Sequence, residues 1–269
     1  MKAFFHSNDL DGHCSGAIIR YAYSNCKTID IDYGQPFPFD KIIQGETVFL
    51  VDFSLSPDDM LKLDDLSTLF WIDHHKTAID NLPTYFDGYR EIGLGACELT
   101  WKYVFTKPVP IAVHLLAMYD VFDFSDSRTL AFQYGIRTYK NTYPDNQDLW
   151  SSLFENDEML IERIIEKGTI ILEYEQTQNE KFCKAFSFET NFEGYKAICC
   201  NKGFTNSKLF DTAQNYDIMI TFCRQNKQWH VSLYTTSNTI DCGAIAKKYG
   251  GGGHAKAAGF SCTELPFEY

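Results

Sequence analysis

The chain has 269 residues, 45% of them hydrophobic, and a formal charge of −12 from 36 acidic and 24 basic residues. That apolar fraction supports a buried core and excludes a disordered chain, while the length suits two ordinary domains or one large one. The acidic balance argues against the broad basic surface that grips long nucleic acid, but a short phosphorylated ligand needs only a few local cations or metal ions.

The start, Met1-Lys2-Ala3-Phe4-Phe5, turns polar too soon for the apolar core of a signal peptide. No stretch reaches the ~20 apolar residues of a membrane span. Nine scattered cysteines without a CxxC pair, two of them adjacent at Cys199 and Cys200, read as reduced thiols and not as a zinc ribbon. The expectation is a cytoplasmic protein with no membrane partner.

Apolar runs at Ala3–Phe5, Ile29–Tyr33, Val48–Phe53 and Leu69–Ile72 have strand length. Between the first two, Cys14, Ala17, Ile18 and Tyr21 repeat at helical spacing within Gly12–Tyr23. Ser56 and Pro57 open a second helix, to Leu66, as N-cap and first-turn residue. This alternation predicts an α/β fold with a parallel sheet covered by helices on both faces. Leu99–Phe105 and Ile111–Tyr119 continue as helices. From about 156 the charges grow dense while Ile161, Ile164, Ile165, Ile171 and Leu172 recur at helical intervals, predicting a long amphipathic linker helix. Beyond it, Ala197–Cys200, Ile218–Arg224 and Trp229–Tyr234 read as strands and Ala244–Tyr249 as a helix of a smaller C-terminal α/β domain. The expected organisation is 1–155, a helical linker over 156–190, and 191–269.

Three strand ends carry carboxylates: Asp9 and Asp11 after the first, Asp52 after the third, and Asp73 before His74 and His75 after the fourth. In an open α/β sheet, ligands gather outside the carboxyl ends of the strands. Neighbouring strands lie ~4.8 Å apart, so these side chains converge on one rim. Taken singly, such an Asp is as readily a helix cap, Asp11 for the first helix or Asp73 for the following loop. Taken together, carboxylates so close repel and partly protonate unless cations neutralise them. A pair of divalent ions does this and also activates water and holds phosphoryl oxygens. The mixture of Asp and His favours manganese over magnesium.

Asp9-Leu10-Asp11-Gly12, the isolated Asp52, Asp73-His74-His75 and Tyr119-Asp120 occur in the order of the motifs of the DHH phosphoesterases, which the chain resembles. The C-terminal Gly250-Gly251-Gly252-Gly253-His254-Ala255-Lys256 is similar to the glycine-rich loop of the DHH-associated domain. The resemblance implies a parallel-sheet catalytic domain and a substrate-binding domain, with the active-site cleft between the lobes. It further implies two Mn²⁺ ions, with Mg²⁺ or another divalent ion as alternative. Asp9 and Asp52 hold one, Asp11, Asp52, His74 and Asp120 hold the other, and Asp52 bridges. His75 faces the substrate phosphate or leaving group and Asp73 orients the histidines. Asp123 competes with Asp120, which is favoured because it follows the apolar segment directly. His6 departs from the pattern, standing three residues before Asp9 where relatives place a histidine two or four before. It is a candidate metal ligand or an ordinary strand residue.

The glycines leave backbone N–H groups open to a phosphate, with His254 and Lys256 as added donors, although a surface turn is also glycine-rich. In relatives an arginine on a preceding strand grips a substrate phosphate; Tyr234 stands there instead, and Arg224 or Lys256 is the candidate substitute charge. The candidate substrate-binding set is thus Gly251, Gly252, Gly253, His254, Lys256, Tyr234 and Arg224. The spelling of both motif regions looks most like nanoRNase-type oligoribonucleases. That implies a metal-dependent phosphodiesterase releasing 5′-mononucleotides from very short oligonucleotides or dinucleotides. Two other readings stand beside it: a cyclic-dinucleotide or 3′-phosphoadenosine 5′-phosphate hydrolase on the same scaffold, and a non-catalytic nucleotide-binding module.

Overall fold

The structure, a computed structural model, describes residues 1–268. Two compact units divide the chain, Met1–Leu172 and the stretch from Glu173 onward.

In the first unit, five parallel strands form a sheet in the order β2-β1-β3-β4-β5: β1 is Lys2–His6, β2 Lys27–Ile31, β3 Glu46–Val51, β4 Ser67–Asp73 and β5 Gly88–Arg90. Period-two alternation sorts their side chains onto two faces. Phe4, Val48, Leu50, Leu69 and Trp71 pack on one side with Met60 and Leu63 of α2 (Pro57–Leu66) and Ala78 of α3 (Lys76–Asn81). Ala3, Phe5, Phe49, Val51 and Ile72 pack on the other with Ile19 of α1 (Leu10–Ala22) and Leu99 of α4 (Ala96–Val104). A parallel sheet needs both faces covered, and the near-continuous apolar strands reflect it. Behind α1 and α4 lie α5 (Ile111–Asp120), α6 (Arg128–Ile136), α7 (Gln147–Phe154) and the start of α8 (Glu158–Phe186), around a core that includes Trp101, Phe132, Trp150 and Ile164.

The second unit holds a mixed sheet, β10-β11-β9-β8-β7-β6, with β7 and β8 its parallel pair. Its strands are β6 Ser187–Phe192, β7 Tyr195–Asn201, β8 Ile218–Gln225, β9 Gln228–Tyr234, β10 Gly252–Gly253 and β11 Ala257–Cys262, and α9 is Cys242–Lys248. Ala197 and Cys199 face a core with Ile245 and Ala246 of α9, while Ile198 and Cys200 face Cys183 of α8. The unit boundary falls inside α8: Ile161 and Ile164 belong to the first unit's core and Cys183 to the second's. All nine cysteines are free. No helix among the described residues is long and apolar enough to cross a membrane.

The strands and helices expected from the sequence are present, with ends shifted by a few residues. The short α3, three-residue β5, α6, α7, β6, β10 and β11 were not apparent from it. In β6, Ser-Phe-Glu-Thr-Asn-Phe, only Phe192 is buried, so it carries little apolar signal. One capping expectation is corrected: Asp9, not Asp11, caps α1, its Oδ1 accepting from Gly12 N at 2.9 Å. Asp73 caps no helix either, since α3 has His75 at its N-cap position.

β1 and α1 meet where the first motif lies. A Cβ on Gly12 would stand 2.0 Å from the His6 carbonyl oxygen, so only glycine lets the first turn of α1 press against the end of β1. Gly12→Ala is expected to push that turn outward, destabilising the protein by ~1–3 kcal/mol, as overpacking does. Chemical denaturation compared with Gly34→Ala, at a position with nothing within 4 Å but a positive φ of its own, checks it. A Gly12→Ala variant as stable as wild type would contradict the contact.

Candidate metal centre

β1 and β3 are neighbours in the sheet, and the helices that follow them, α1 and α2, cover opposite faces, so a crevice opens at their carboxyl ends. Asp9 and Asp11 follow β1, Asp52 follows β3, and Asp73, His74 and His75 end β4. Asp120 arrives from the last residue of α5. Three overlapping groups result, each with potential ligand atoms within 4.8 Å of one another: His6, Asp9 and Asp52 form one cluster, Asp11, His74 and Asp120 another, and Asp52, His74 and His75 link the two.

Asp52 stands between them. Its Oδ2 lies 3.6 Å from His6 Nδ1 and its Oδ1 lies 3.4 Å from His74 Nε2. It is 1% exposed, yet neither oxygen makes a hydrogen bond of good geometry, and neither does His6 Nδ1. Buried carboxylate oxygens without donors are costly unless a cation meets them. Its φ of 55° adds backbone strain, milder for Asp than for most residues. A buried carboxylate in a strained conformation among these acidic and histidine groups fits a site for a divalent metal ion.

The neighbours fix the other ligands. Asp11 lies inside α1 with both oxygens accepting from the start of α4, Ala96 N at 2.6 Å and Cys97 N at 2.8 Å. It therefore serves a helix N-terminus that Gly95, the N-cap residue, leaves without a side-chain cap. His74 Nε2 is 3.2 Å from Asp120 Oδ2 and 3.8 Å from Asp11 Oδ2. Asp123 is turned away: its Oδ1 accepts from Ser125 N in an exposed turn. His6 Nδ1 stands 2.9 Å from Asp9 Oδ2, so the shifted histidine still reaches the first cluster.

Asp73 is fully buried and spends its oxygens on its neighbours. Oδ1 accepts from His74 N, His75 N and, at 2.6 Å, the His75 ring Nδ1; Oδ2 accepts from Trp71 Nε1 at 3.2 Å. Asp73 thus engages Nδ1 of the His75 ring and not Nε2. Carboxylate–histidine pairs of this kind set tautomer and orientation. His13, in α1, is also a brace: its ring bridges Ser7 O at 3.0 Å and Thr142 Oγ1 at 2.9 Å.

The packed carboxylates and imidazoles shift one another's proton affinity. Burial favours the neutral imidazole, but hydrogen bonds and charges from Asp52 and Asp9 outweigh it and raise His6 to about 11. Burial is likewise outweighed at His74, raised to about 10 by Asp52, Asp11 and Asp120, and at His75, raised to about 9 chiefly by Asp73. Burial and then the charge of Asp52 raise Asp11 to about 7; burial and then Asp11 raise Asp120 to about 7. Asp52 is raised by burial and Asp9, whereas Asp9 and Asp73 are lowered, against burial, by His6 and His75.

Sequence reasoning missed Asp32, whose Oδ1 is 3.5 Å from His6 Nε2. It directly follows Ile31 at the end of β2, the same strand-end signal that marked Asp52.

The candidate substrate residues lie in the second unit. The β11–β9 register pairs Ala257 with Tyr234, and Gly253 pairs with Ala258, so the glycine run and Tyr234 share one sheet end. Arg224 does not join them: Tyr234 pairs with Met219 and Arg224 with Trp229, five residues, or ~17 Å, along β8. Its guanidinium lies over the Trp229 ring. Lys256 Nζ donates to Thr236 O, Ser237 O and Asn238 Oδ1, which uses all three ammonium hydrogens on one loop. Gly251 and Gly253 answer to packing, since a Cβ would stand 2.1 Å from Gly259 O or 2.6 Å from Ala258 Cα; Gly252 faces open space. His254 is exposed and its N–H donates to Ala257 O.

Residues 207–267 match the DHHA1 domain. Over 246 residues, 84% of this chain, the sequence is 25% identical to an uncharacterized protein of Acanthamoeba polyphaga mimivirus, of which it spans only 56%. It is 24% identical to oligoribonuclease NrnB of Bacillus subtilis (strain 168), in an alignment that covers all of this chain and 74% of that protein. Among solved structures, the DHH domain of a protein described as a member of a ribosomal-protein family matches with a TM-score of 0.57 at 12% identity, over 96% of this chain and 81% of that one. That likeness concerns the fold.

Two outcomes are expected. Asp11 and Asp120 have folded-state values near 7, above their ordinary 3.8, so their stabilising contribution is full below about 3.8 and is lost as pH rises through about 7. His6 and His74, raised above 6.5, lose theirs as pH rises through about 10–11. Metal-free protein should therefore lose thermal stability between pH 6 and 9, and excess Mn²⁺ should restore most at the upper end; a metal-free melting temperature that rises over this interval would contradict the site. Second, Asp52→Asn should melt at or above the metal-free wild type, because a repelled carboxylate is removed, yet gain little from Mn²⁺. A wild-type metal response in that variant would exclude Asp52 as a shared ligand.

Proposed function

We propose, for a chain that is similar to the DHH phosphoesterases and carries a DHHA1 domain at residues 207–267, a metal-dependent phosphodiesterase activity that hydrolyses very short oligonucleotides to 5′-mononucleotides. The observation that carries this reading is Asp52, buried without a hydrogen bond of good geometry and with one oxygen toward His6 and the other toward His74. Substrate length is supported by the similarity to a protein named an oligoribonuclease, and by a net charge of −12 that suits short substrates better than long polymers.

His6, Asp9 and Asp52 would hold one divalent ion, and Asp11, Asp52, His74 and Asp120 the other, with Mn²⁺ preferred by the mixed oxygen and nitrogen donors. When bound, such a pair supplies charge neutralisation at phosphoryl oxygens and a water acidic enough to attack phosphorus. The chain's own groups do the rest. Asp73 holds the Nδ1–H of His75, so that His75 Nε2–H would donate a hydrogen bond to a phosphate oxygen or to the leaving oxygen. Its value of about 9 keeps that proton in place at neutral pH. Asp11, tied to the N-terminus of α4, keeps its place as charge builds at the phosphate. In the second unit, the exposed His254 and the open Gly252 are the candidate substrate contacts, and Lys256 shapes the loop beside them.

The test is turnover of di- to pentanucleotides, cyclic dinucleotides, 3′-phosphoadenosine 5′-phosphate and pyrophosphate by purified protein with Mn²⁺. Mononucleotides released from the short linear substrates are expected; loss of all of these activities would sink the reading. Asp73→Asn should lower turnover ~10–100-fold, the usual cost of removing a partner that orients a histidine. His74→Ala should abolish it.

A further inference from the structure

The β2 strand ends beside the metal clusters, and the chain after it carries an aromatic ring that the fold leaves half uncovered. Tyr33 is 51% exposed. One face stacks on Phe53 at 4.2 Å between centroids and 24° between planes, and the ring meets His6 edge-on at 5.5 Å. Phe53 is buried and itself lies 5.8 Å from the His6 ring. The Tyr33 backbone N–H donates to Asp32 Oδ1 at 2.7 Å, which ties the residue to the end of β2. The result is an aromatic plane held on one face by Phe53 and at its edge by His6, with half of its surface exposed, next to a histidine of the first ligand cluster.

We propose that the outer face of Tyr33 is a nucleobase subsite of the metal centre, so that the substrates are nucleotide phosphoesters and not base-free phosphates of equal charge. This rests on the phosphodiesterase reading and deepens it. Every base has a π-face, and stacking on an aromatic side chain is tolerant of sequence. Asp32, whose Oδ1 accepts from Tyr33 N at 2.7 Å, puts a carboxylate beside the ring, which disfavours an anion on the ring itself. A planar, uncharged group is the chemistry that fits beside it. A ring one histidine's width from the first cluster is also within a nucleoside's reach of a phosphate held there. Tyr33 would thereby set the register of the scissile bond, leaving the ligand clusters indifferent to base identity.

The experiment compares a dinucleotide with its abasic counterpart, using Mn²⁺-loaded wild type, Tyr33→Phe and Tyr33→Ala. Wild type and Tyr33→Phe should prefer the base-containing substrate in KM by ~10–100-fold, and Tyr33→Ala should bring that ratio toward one. A ratio that Tyr33→Ala leaves intact, or that is already near one in wild type, overturns the proposal. A second arm measures binding without turnover, by calorimetry of AMP against ribose 5-phosphate on the same three proteins. Tighter AMP binding that requires an aromatic residue at position 33 supports the subsite, and equal affinities in wild type overturn it. If wild type cleaves neither dinucleotide, the phosphodiesterase reading fails, and the binding arm still decides on Tyr33.

Discussion

The first unit is organised around the cost of burying Asp52. A carboxylate with 1% exposure and no good hydrogen-bond donor, set in a left-handed backbone conformation, is unfavourable in any protein that holds it only for stability. Around it stand Asp9, Asp11 and Asp120, which worsen the repulsion, and His6, His74 and His75, which relieve it with protons. The arrangement makes physical sense as a receptacle for positive charge. Local strain at a ligand site is the expected trade between stability and function.

The rest of the unit keeps these groups from relaxing. Parallel strands ~4.8 Å apart bring the strand-end residues together, and the divergence of α1 and α2 to opposite faces leaves room above them. Gly12 lets α1 close against β1, the N-terminus of α4 fixes Asp11, and Asp73 holds His75. His13 braces the first loop through Ser7 and Thr142. Asp9, Asp11 and His75 are thus each held by a second interaction, which suppresses the rotamer freedom that mutual repulsion would otherwise exploit.

In the second unit the same residue types serve different ends. The glycine run looks like a phosphate cradle, yet Gly251 and Gly253 are glycines because β11 passes too close for a side chain. Lys256 looks like a phosphate donor, yet its hydrogens bind the loop from Thr236 to Asn238. In that stretch Gly250 and Gly252 have nothing within 4 Å of where a side chain would stand, and His254 is exposed.

Much of the first unit was legible from the chain. Strand-length apolar runs ending in Asp, and helices between them, predict a parallel sheet with carboxylates along one rim, because side-chain periodicity and strand direction are local properties. The Ser56 cap was readable for the same reason. Other features depend on contacts between residues far apart in sequence. That Asp11 serves α4 and Asp9 caps α1, that Asp120 and not Asp123 reaches His74, and that Arg224 lies a strand's length from Tyr234 are consequences of packing and register. Asp32 and Tyr33 joined the site only when the order β2-β1-β3 set β2 beside β1. By itself the sequence determined which strand ends present carboxylates and histidines along one rim. Tertiary structure alone decided which atoms meet, because strand order and helix docking are settled by burial over the whole unit and leave no trace in any one segment.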